Sequence, residues 1–143
     1  MLIRLAELTD LTWLTAHDRH IAWEECERSV RLRRVLVAEA ENGELVGWLR
    51  WNLFWDNTPF MNMLYLLPER RRQGYGAALV AHWEGMMAGA GFRRALTSTQ
   101  SDEEGQHFYR RQGYRDAGAL LFPGEAAELI LMKDLTAHGA HER

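Results

Sequence analysis

A basic turn punctuated by glycines is the part of this sequence best suited to chemistry. Residues 66–76 read Leu-Leu-Pro-Glu-Arg-Arg-Arg-Gln-Gly-Tyr-Gly, between an apolar stretch and a segment with helical periodicity. The first turn of a helix leaves backbone N–H groups without intrahelical partners, and the helix dipole adds positive charge there. Gly74 and Gly76 let a phosphate approach the backbone closely, and the arginines add charge. The pattern therefore predicts a pyrophosphate site.

Other nucleotide-binding patterns fit this turn less well. A P-loop requires Gly-Lys-Ser/Thr, whereas the only lysine of the chain is Lys133. A dinucleotide fingerprint requires a third small residue at the position of Leu79. A solvated turn explains arginines followed by Gly-x-Gly equally well, so this turn alone leaves both interpretations open.

A second motif lies on the next predicted strand–helix unit. It comprises Asp102 and the segment Phe-Tyr-Arg-Arg-Gln-Gly-Tyr at 108–114. With both motifs in place, the sequence resembles the GNAT superfamily of acyl-CoA-dependent N-acetyltransferases. Residues 71–76 are similar to its Gln/Arg-x-x-Gly-x-Gly/Ala signature, and residues 108–114 to its Phe-Tyr-x-x-x-Gly-Phe/Tyr segment. The order of predicted elements is also similar, so the resemblance extends over residues 1–135.

The resemblance implies a role for each matching residue. Backbone N–H groups of residues 71–77 would hold the pyrophosphate of acetyl-CoA, and main-chain atoms of Leu66 and Leu67 would pair with the pantetheine arm. Tyr109 matches the tyrosine that acts as general acid toward the departing thiolate. Asp102 falls where many members have an asparagine that contacts the cofactor. The implied cofactor site is Leu66, Leu67, Arg71, Arg72, Gln73, Gly74, Tyr75, Gly76, Ala77 and Asp102.

The general base is left open by the sequence. Some family members carry a glutamate where this chain has Phe60, and a phenyl ring cannot accept a proton. Asn62, two residues on and so on the same strand face, would position a water. Asp56, Glu24 and Glu25 are carboxylates in segments expected to border the acceptor site. We retain Asp56 as a base or an amine contact, with a water relay as the alternative.

The elements that must position these residues follow from periodicity and turn signals. They predict the order β-α-α-β-β-β-α-β-α-β-β, with a central strand over 60–67 that is apolar on both faces. This is an α/β (α+β) fold with a mixed, mostly antiparallel sheet flanked by helices. The resemblance implies that its strands splay at the cofactor cleft. Asn42-Gly43 predicts a two-residue hairpin turn, and Ser101-x-x-Glu104 a capping box that opens the last helix.

Composition bounds the remaining possibilities. The chain has 143 residues, 47% of them hydrophobic, and a net charge of −3, which predicts one domain over 1–135 and a disordered tail over 136–143. The single cysteine, Cys26, excludes a multi-cysteine cluster, and no metal site is expected. The mild negative charge gives no footprint for nucleic acid. No apolar stretch approaches the ~18 residues of a membrane helix, and no secretory signal is recognised, so a cytoplasmic location is expected.

We interpret the chain as an N-acetyltransferase that transfers an acetyl group from acetyl-CoA to a primary amine by direct transfer in a ternary complex. The acceptor would be a small molecule or a peptide amine, without nucleic-acid or membrane partners, and a homodimer is compatible with this interpretation. The alternative is a non-catalytic acyl-CoA-binding or sensing module on the same fold. A third hypothesis is an interaction protein whose exposed aromatic residues form the interface.

Overall fold

A computed structural model of the chain describes residues 1–135. Its strands are β1 (Leu2–Leu5), β2 (Val35–Glu39), β3 (Leu45–Phe54), β4 (Thr58–Leu66), β5 (Arg94–Gln100), β6 (Arg115–Leu120) and β7 (Glu128–Asp134). Its helices are α1 (Leu11–His17), α2 (Trp23–Arg31), α3 (Tyr75–Gly89) and α4 (Gly105–Arg111), with short 3-10 turns at Leu8–Asp10 and Pro68–Arg70. The seven strands form one sheet in the order β1-β2-β3-β4-β5-β7-β6. The predicted order of elements and the α/β class are confirmed.

The chain divides into two compact units, the first of which comprises residues 1–52 and 63–83. Its core lies where α1 and α2 pack on the indole of Trp48, which is stacked on the Tyr65 ring at 4.9 Å. Asp18 follows α1 and is buried with Arg50. Its Oδ2 accepts hydrogen bonds from Arg50 Nε at 3.0 Å and from Trp48 Nε1 at 3.2 Å. This ion pair joins the end of α1 to β3. Breaking it by removing one partner would be costly, because the other charge would remain buried and unpaired.

The second unit comprises residues 53–62 and 84–143, described to residue 135. Strand β5 is antiparallel to β7 along its whole length, and β6 follows on the far side of β7. The pairing of β4 with β5 is parallel, which makes the sheet mixed. Glu84 of α3 accepts hydrogen bonds from the Tyr114 hydroxyl at 2.8 Å and from Lys133 Nζ at 2.9 Å. These bonds attach α3 to β7 and to the segment that follows α4.

The predicted two-residue turn at Asn42-Gly43 is wrong. Residues 41–43 form a three-residue loop, closed by a hydrogen bond from the Ala40 N–H to the Glu44 carbonyl. Asn42 Oδ1 accepts the Glu44 N–H at 3.0 Å, and of these loop residues only Gly43 has a positive φ, of 89°. An asparagine bonded in this way favours a type I turn followed by a left-handed glycine over a turn with two left-handed residues.

The predicted capping box at Ser101 is also wrong. Helix α4 begins at Gly105, and no side-chain bond caps it. The Glu103 carboxylate instead accepts the Gln100 N–H at 3.4 Å, while Gln106 Nε2 donates to the Ser101 carbonyl at 2.7 Å. These bonds hold residues 101–104 as a turn ahead of the helix.

Further sequence predictions concern the central strand, the C-terminal tail, the number of domains and membrane helices. The central strand β4 starts at Thr58, two residues earlier than expected, and includes the buried Pro59. The tail predicted over 136–143 lies outside the described residues, and a single domain over 1–135 stays a prediction. No helix in the described part of the chain is long and apolar enough to span a membrane.

Candidate active site

The basic turn between β4 and α3 has a distinctive backbone conformation. The Leu67 N–H donates to the Val46 carbonyl at 2.9 Å, which attaches the start of the turn to β3. After the 3-10 turn, Arg72 and Gly74 both have positive φ values, of 63° and 89°. A Cβ added at Gly74 would meet no atom within 4 Å, so the space beside this backbone is open. The turn therefore lets a ligand reach its main chain.

Two exposed side chains of the turn brace its backbone. Arg71 Nε donates to the Leu66 carbonyl at 3.1 Å, and its guanidinium lies 5.1 Å from the centre of the Tyr65 ring. Gln73 Nε2 donates to the Glu69 carbonyl at 3.2 Å. Arg71 thus ties the turn to the end of β4, and Gln73 ties it to the 3-10 turn, whereas the family resemblance implies that both residues hold the cofactor through their backbone N–H groups.

The N-terminus of α3 supplies the donors of this turn. The Ala78 N–H is bonded to the Gly74 carbonyl at 3.1 Å, so the N–H groups of Tyr75, Gly76 and Ala77 precede the first bond of the helix. Helix α3 has 15 residues, and its dipole adds partial positive charge at this end. Gly76 is buried. These features suit a phosphate bound by the backbone.

A cavity of about 410 Å³ lies beside this turn. The loop between β2 and β3 forms one side of it and the turn forms the other, and its lining residues are Met1, Ala40, Glu41, Asn42, Arg70, Gln73 and Tyr75. This volume falls within the range of small-molecule sites. The cavity therefore provides space for a ligand larger than a phosphate next to the N-terminus of α3.

Tyr109 is buried in the second unit, with 8% of its surface exposed. Its hydroxyl lies 4.0 Å from the sulfur of Met61, and its ring packs edge-to-face on Tyr114 at 5.9 Å. Burial raises the pKa of Tyr109 to about 12, and the nearby Thr97 hydroxyl, which itself donates to the Met61 carbonyl at 3.0 Å, offsets part of this effect. The phenol therefore keeps its proton near neutral pH, so it can donate a hydrogen bond and cannot serve as a base.

Two glycines place Tyr109. Gly113 has a φ of 99° and follows α4, where the Tyr114 N–H donates to the Tyr109 carbonyl and the Gly113 N–H donates to the Arg110 carbonyl, both at 3.0 Å. This pair of bonds is a Schellman motif, which ends α4. At the other end, a Cβ on Gly105 would lie 2.9 Å from Thr99 Oγ1. Gly105 thus lets α4 lie close against β5.

The remaining predicted residues are exposed. Asn62 follows Met61 in β4, and successive strand side chains point to opposite faces, so Asn62 is not beside the Tyr109 hydroxyl. Asp102 lies in the turn between β5 and α4 and does not cap the helix. Glu24 and Glu25 lie in the first turn of α2. Their roles in catalysis stay predictions.

Asp56 lies in a strained turn between β3 and β4. Trp55 and Asp56 both have positive φ values, of 56° and 65°, and the Asn57 N–H donates to the Phe54 carbonyl at 3.2 Å. This is a type I′ turn built without glycine, a conformation that costs about 1–2 kcal/mol for each such residue. The Trp55 side chain is 78% exposed. The turn therefore presents an indole and a carboxylate to solvent.

One polar pair was not found by sequence reasoning. Ser98 Oγ donates to Glu128 Oε2 at 2.7 Å, joining β5 to the start of β7. The contact depends on the register of two strands that are distant in the chain. The available signal was the alternation of polar side chains in β5, where Ser98 and Gln100 share a face. Among the residues that the structure describes, no group of three His, Cys, Asp or Glu side chains could hold a metal ion.

The sequence model of the Acetyltransferase (GNAT) family matches residues 2–114. The chain belongs to the GNAT acetyltransferase family. The resemblance inferred from residues 71–76 and 108–114 is thereby confirmed. Membership supports an acyl-CoA-dependent acetyltransferase activity for this GNAT protein. No curated protein sequence is similar enough to the chain to count as a match.

Solved structures of other acetyltransferases have the same fold. An aminoglycoside 6′-N-acetyltransferase complexed with coenzyme A is 18% identical, with a TM-score of 0.77 over 96% of this chain and 99% of that one. Ribosomal-protein-alanine N-acetyltransferase from Brucella melitensis is 21% identical, with a TM-score of 0.78 over 94% and 99%. Chaetomium thermophilum Naa20, in complex with a bisubstrate analogue, is 16% identical, with a TM-score of 0.80 over 94% and 86%. At these identities the similarity establishes the fold of this GNAT protein.

Proposed function

We propose that this GNAT protein transfers an acetyl group from acetyl-CoA to the primary amine of a small molecule or peptide, by direct transfer in a ternary complex. The observation that carries the proposal is the open, positive-φ turn at Arg72 and Gly74, which leads into the N-terminus of α3. The buried, protonated phenol of Tyr109 supports it independently. We expect no nucleic-acid or membrane partner, and a homodimer stays compatible with this function.

The turn fits the pyrophosphate of acetyl-CoA. Backbone N–H groups of residues 71–77 would hold its oxygens, and Gly74 leaves the approach to the main chain open. Arg72 is exposed and would add positive charge, while Arg71 braces the turn through the Leu66 carbonyl. We expect main-chain atoms of Leu66 and Leu67 to pair with the pantetheine arm. When bound, acetyl-CoA supplies an activated acetyl thioester.

Tyr109 would assist departure of the thiolate. A thiol has a reference pKa of about 8.5, some three units below the pKa of about 12 of this phenol. Complete proton transfer from the phenol to a thiolate would therefore be unfavourable. We infer that Tyr109 acts mainly by donating a hydrogen bond as negative charge develops on sulfur.

The acceptor amine must lose a proton before it can attack. An alkylammonium has a pKa of about 10.4, so only a small fraction is neutral at pH 7. A water relay, with Asn62 positioning the water, and direct proton transfer to Asp56 are the two routes that we retain. Positioning of the amine against the thioester would supply much of the rate acceleration.

A thiol-release screen tests this function. Purified protein is incubated with acetyl-CoA and with amines of four classes: alkylamines, aminoglycosides, amino acids, and peptides with a free N-terminus or lysine. We expect release of CoA with at least one class, together with acetyl-CoA binding in calorimetry. Binding without turnover of any amine would favour the acyl-CoA sensing module. Absence of binding would contradict both functions and favour the interaction protein.

A further inference from the structure

We propose that Glu128 binds the cationic amine of the acceptor and that Ser98 holds its carboxylate in place. We further propose that the exposed apolar side chains of residues 120–122 contact the hydrocarbon part of the same acceptor. This inference rests on the acetyltransferase function proposed above and names its acceptor class: a primary amine carried by an apolar body.

The register of three strands assembles the site on one face of the sheet. Gln100 of β5 is paired with Glu128 of β7, which is paired on its other side with Leu120 of β6. Directly opposed residues of antiparallel strands project on the same face. Ser98 lies two residues before Gln100 and shares this face, and its Oγ donates to Glu128 Oε2 at 2.7 Å. A carboxylate, a hydroxyl and an aliphatic side chain therefore lie together.

The charge of Glu128 is the main argument for a cationic ligand. The side chain is half-buried, and the hydrogen bond that it accepts comes from a neutral hydroxyl. The ion pairs described within the second unit use other carboxylates, namely those of Glu84, Asp116 and Asp134. Withdrawing a carboxylate from water is costly unless a cation and hydrogen bonds compensate it. An ammonium group supplies both, through charge-assisted hydrogen bonds.

Glu128 and Tyr109 lie on opposite faces of β5. The Cβ position of Gly105 in α4 lies 2.9 Å from Thr99 Oγ1, so Thr99, and Thr97 two residues before it, project on the helix side of β5. Ser98 lies between them and projects on the other side. The carboxylate and the phenol thus flank β5 from its two faces. An acceptor can bind at Glu128 without displacing the packing around Tyr109.

The apolar rim defines the body of the acceptor. Leu120, Leu121 and Phe122 are 51%, 81% and 47% exposed, and they follow one another at the end of β6. Three consecutive exposed apolar side chains are costly to keep in water and suit a hydrophobic ligand surface. Beside a carboxylate they favour an alkylamine or arylalkylamine over a polyhydroxylated amine.

The test compares Glu128→Gln with wild type, using hexylamine as the probe. Glutamine keeps the shape and the bond from Ser98 while removing the charge. We expect the KM for hexylamine to rise about tenfold or more, with kcat changed less than about threefold. Calorimetry of hexylamine binding to CoA-saturated protein should show the same loss, and acetyl-CoA affinity should be unchanged. Ser98→Ala should raise this KM by a smaller factor.

Glu125→Gln is the matched control, because Glu125 is exposed on the same hairpin. Its kinetics should equal those of wild type. A Glu128→Gln protein that behaves like the Glu125→Gln protein would overturn the inference. So would a wild-type protein that acetylates other amines and not hexylamine, although the proposed function would then stand. A wild type that releases no thiol with any amine would overturn the proposed function and this inference with it.

Discussion

The two junctions that lead from a strand into a helix differ in how their backbone is held. The junction between β4 and α3 contains two positive-φ residues, Arg72 and Gly74, and opens onto a helix of 15 residues. The junction between β5 and α4 is a turn over residues 101–104, held by side-chain bonds, and it leads into a helix of 7 residues. The first exposes its main chain, whereas the second brings a buried side chain, Tyr109, into place.

The glycines of the two junctions show the same difference. Gly74 has a φ of 89° and open space around it, so it serves the conformation of the backbone. Gly105 has no such φ but lies where a Cβ would come within 2.9 Å of Thr99 Oγ1, so it serves close packing. Glycines at similar places in the topology therefore have different roles: Gly74 permits a left-handed backbone beside open space, and Gly105 permits close packing of a helix on a strand.

Changing the phenol of Tyr109 should have the largest effect. For Tyr109→Phe we expect the acetylation rate to fall by roughly 10- to 1,000-fold, because the leaving thiolate loses its donor while the ring still packs. Acetyl-CoA affinity should stay within a few-fold. Since burial raises the pKa of Tyr109 to about 12, the protonated, active form persists to strongly alkaline pH. The pH–rate profile of the wild type should show no loss from this group below about pH 11.

Tyr114→Phe is the control for this change. Tyr114 packs against Tyr109 and donates its hydroxyl proton to Glu84 at 2.8 Å. Its loss should lower stability by about 1–2 kcal/mol while leaving the rate close to that of wild type. Equal rate losses in the two variants would show that Tyr109 acts through packing, and a wild-type kcat in Tyr109→Phe would remove the phenol from the mechanism.

The next largest effect should fall on the first junction. Gly76→Asp places a negatively charged side chain at a buried position in the first turn of α3, where the phosphate oxygens would bind. We expect acetyl-CoA to bind at least about tenfold more weakly in calorimetry, through charge repulsion and lost access. Gly85→Asp in the same helix is the control, since Gly85 is exposed with nothing within 4 Å of its Cβ position. Unchanged affinity in a folded Gly76→Asp protein would contradict the pyrophosphate site.

A pair of alanine substitutions tests the contrast between the two glycines. Gly105→Ala should move α4 away from Thr99, lowering kcat several-fold and stability by about 1 kcal/mol, with acetyl-CoA affinity little changed. Gly74→Ala should cost about 1–2 kcal/mol through its positive φ, and its kinetic effect should be a higher KM for acetyl-CoA. If both variants changed the same kinetic parameter, either kcat or the KM for acetyl-CoA, the two glycines would not have the different roles inferred for them.

Local patterns in the sequence predicted the first junction better than the second. The strand, the arginines and the two glycines at 66–76 are consecutive, so the signal for an open helix N-terminus is contained in one segment. The prediction for the second junction was wrong because Ser101 and Glu104 have the spacing of a capping box, whereas the observed hydrogen bonds are made by Glu103 and Gln106. When several polar side chains compete for the same backbone groups, spacing alone does not choose among them.

Long-range register explains what sequence reasoning missed. The contact of Ser98 with Glu128 requires the alignment of β5 with β7, and β6 lies between them in the chain but not in the sheet. The proximity of Tyr109 to Met61 likewise depends on how α4 packs on β5 and β4. The order of the elements could be predicted because each has its own periodicity, whereas these contacts are decided by packing.

The smallest effect should come from a turn outside both junctions. If the junctions serve acetyl-CoA and its leaving group, Asp56 and the exposed indole of Trp55 are available, besides Glu128, for a secondary contact with the acceptor. Asp56→Asn removes the charge while keeping a residue that tolerates positive φ, so the fold should survive. We expect the KM for a cationic amine to rise about two- to fivefold, as for an exposed ion pair, with acetyl-CoA affinity unchanged.

High salt should abolish this difference between Asp56→Asn and wild type, because exposed charges are screened. Equal weakening of amine and acetyl-CoA would instead assign the turn a structural role, and a kcat loss of a hundredfold or more, on the scale of general-base catalysis, would identify Asp56 as the base.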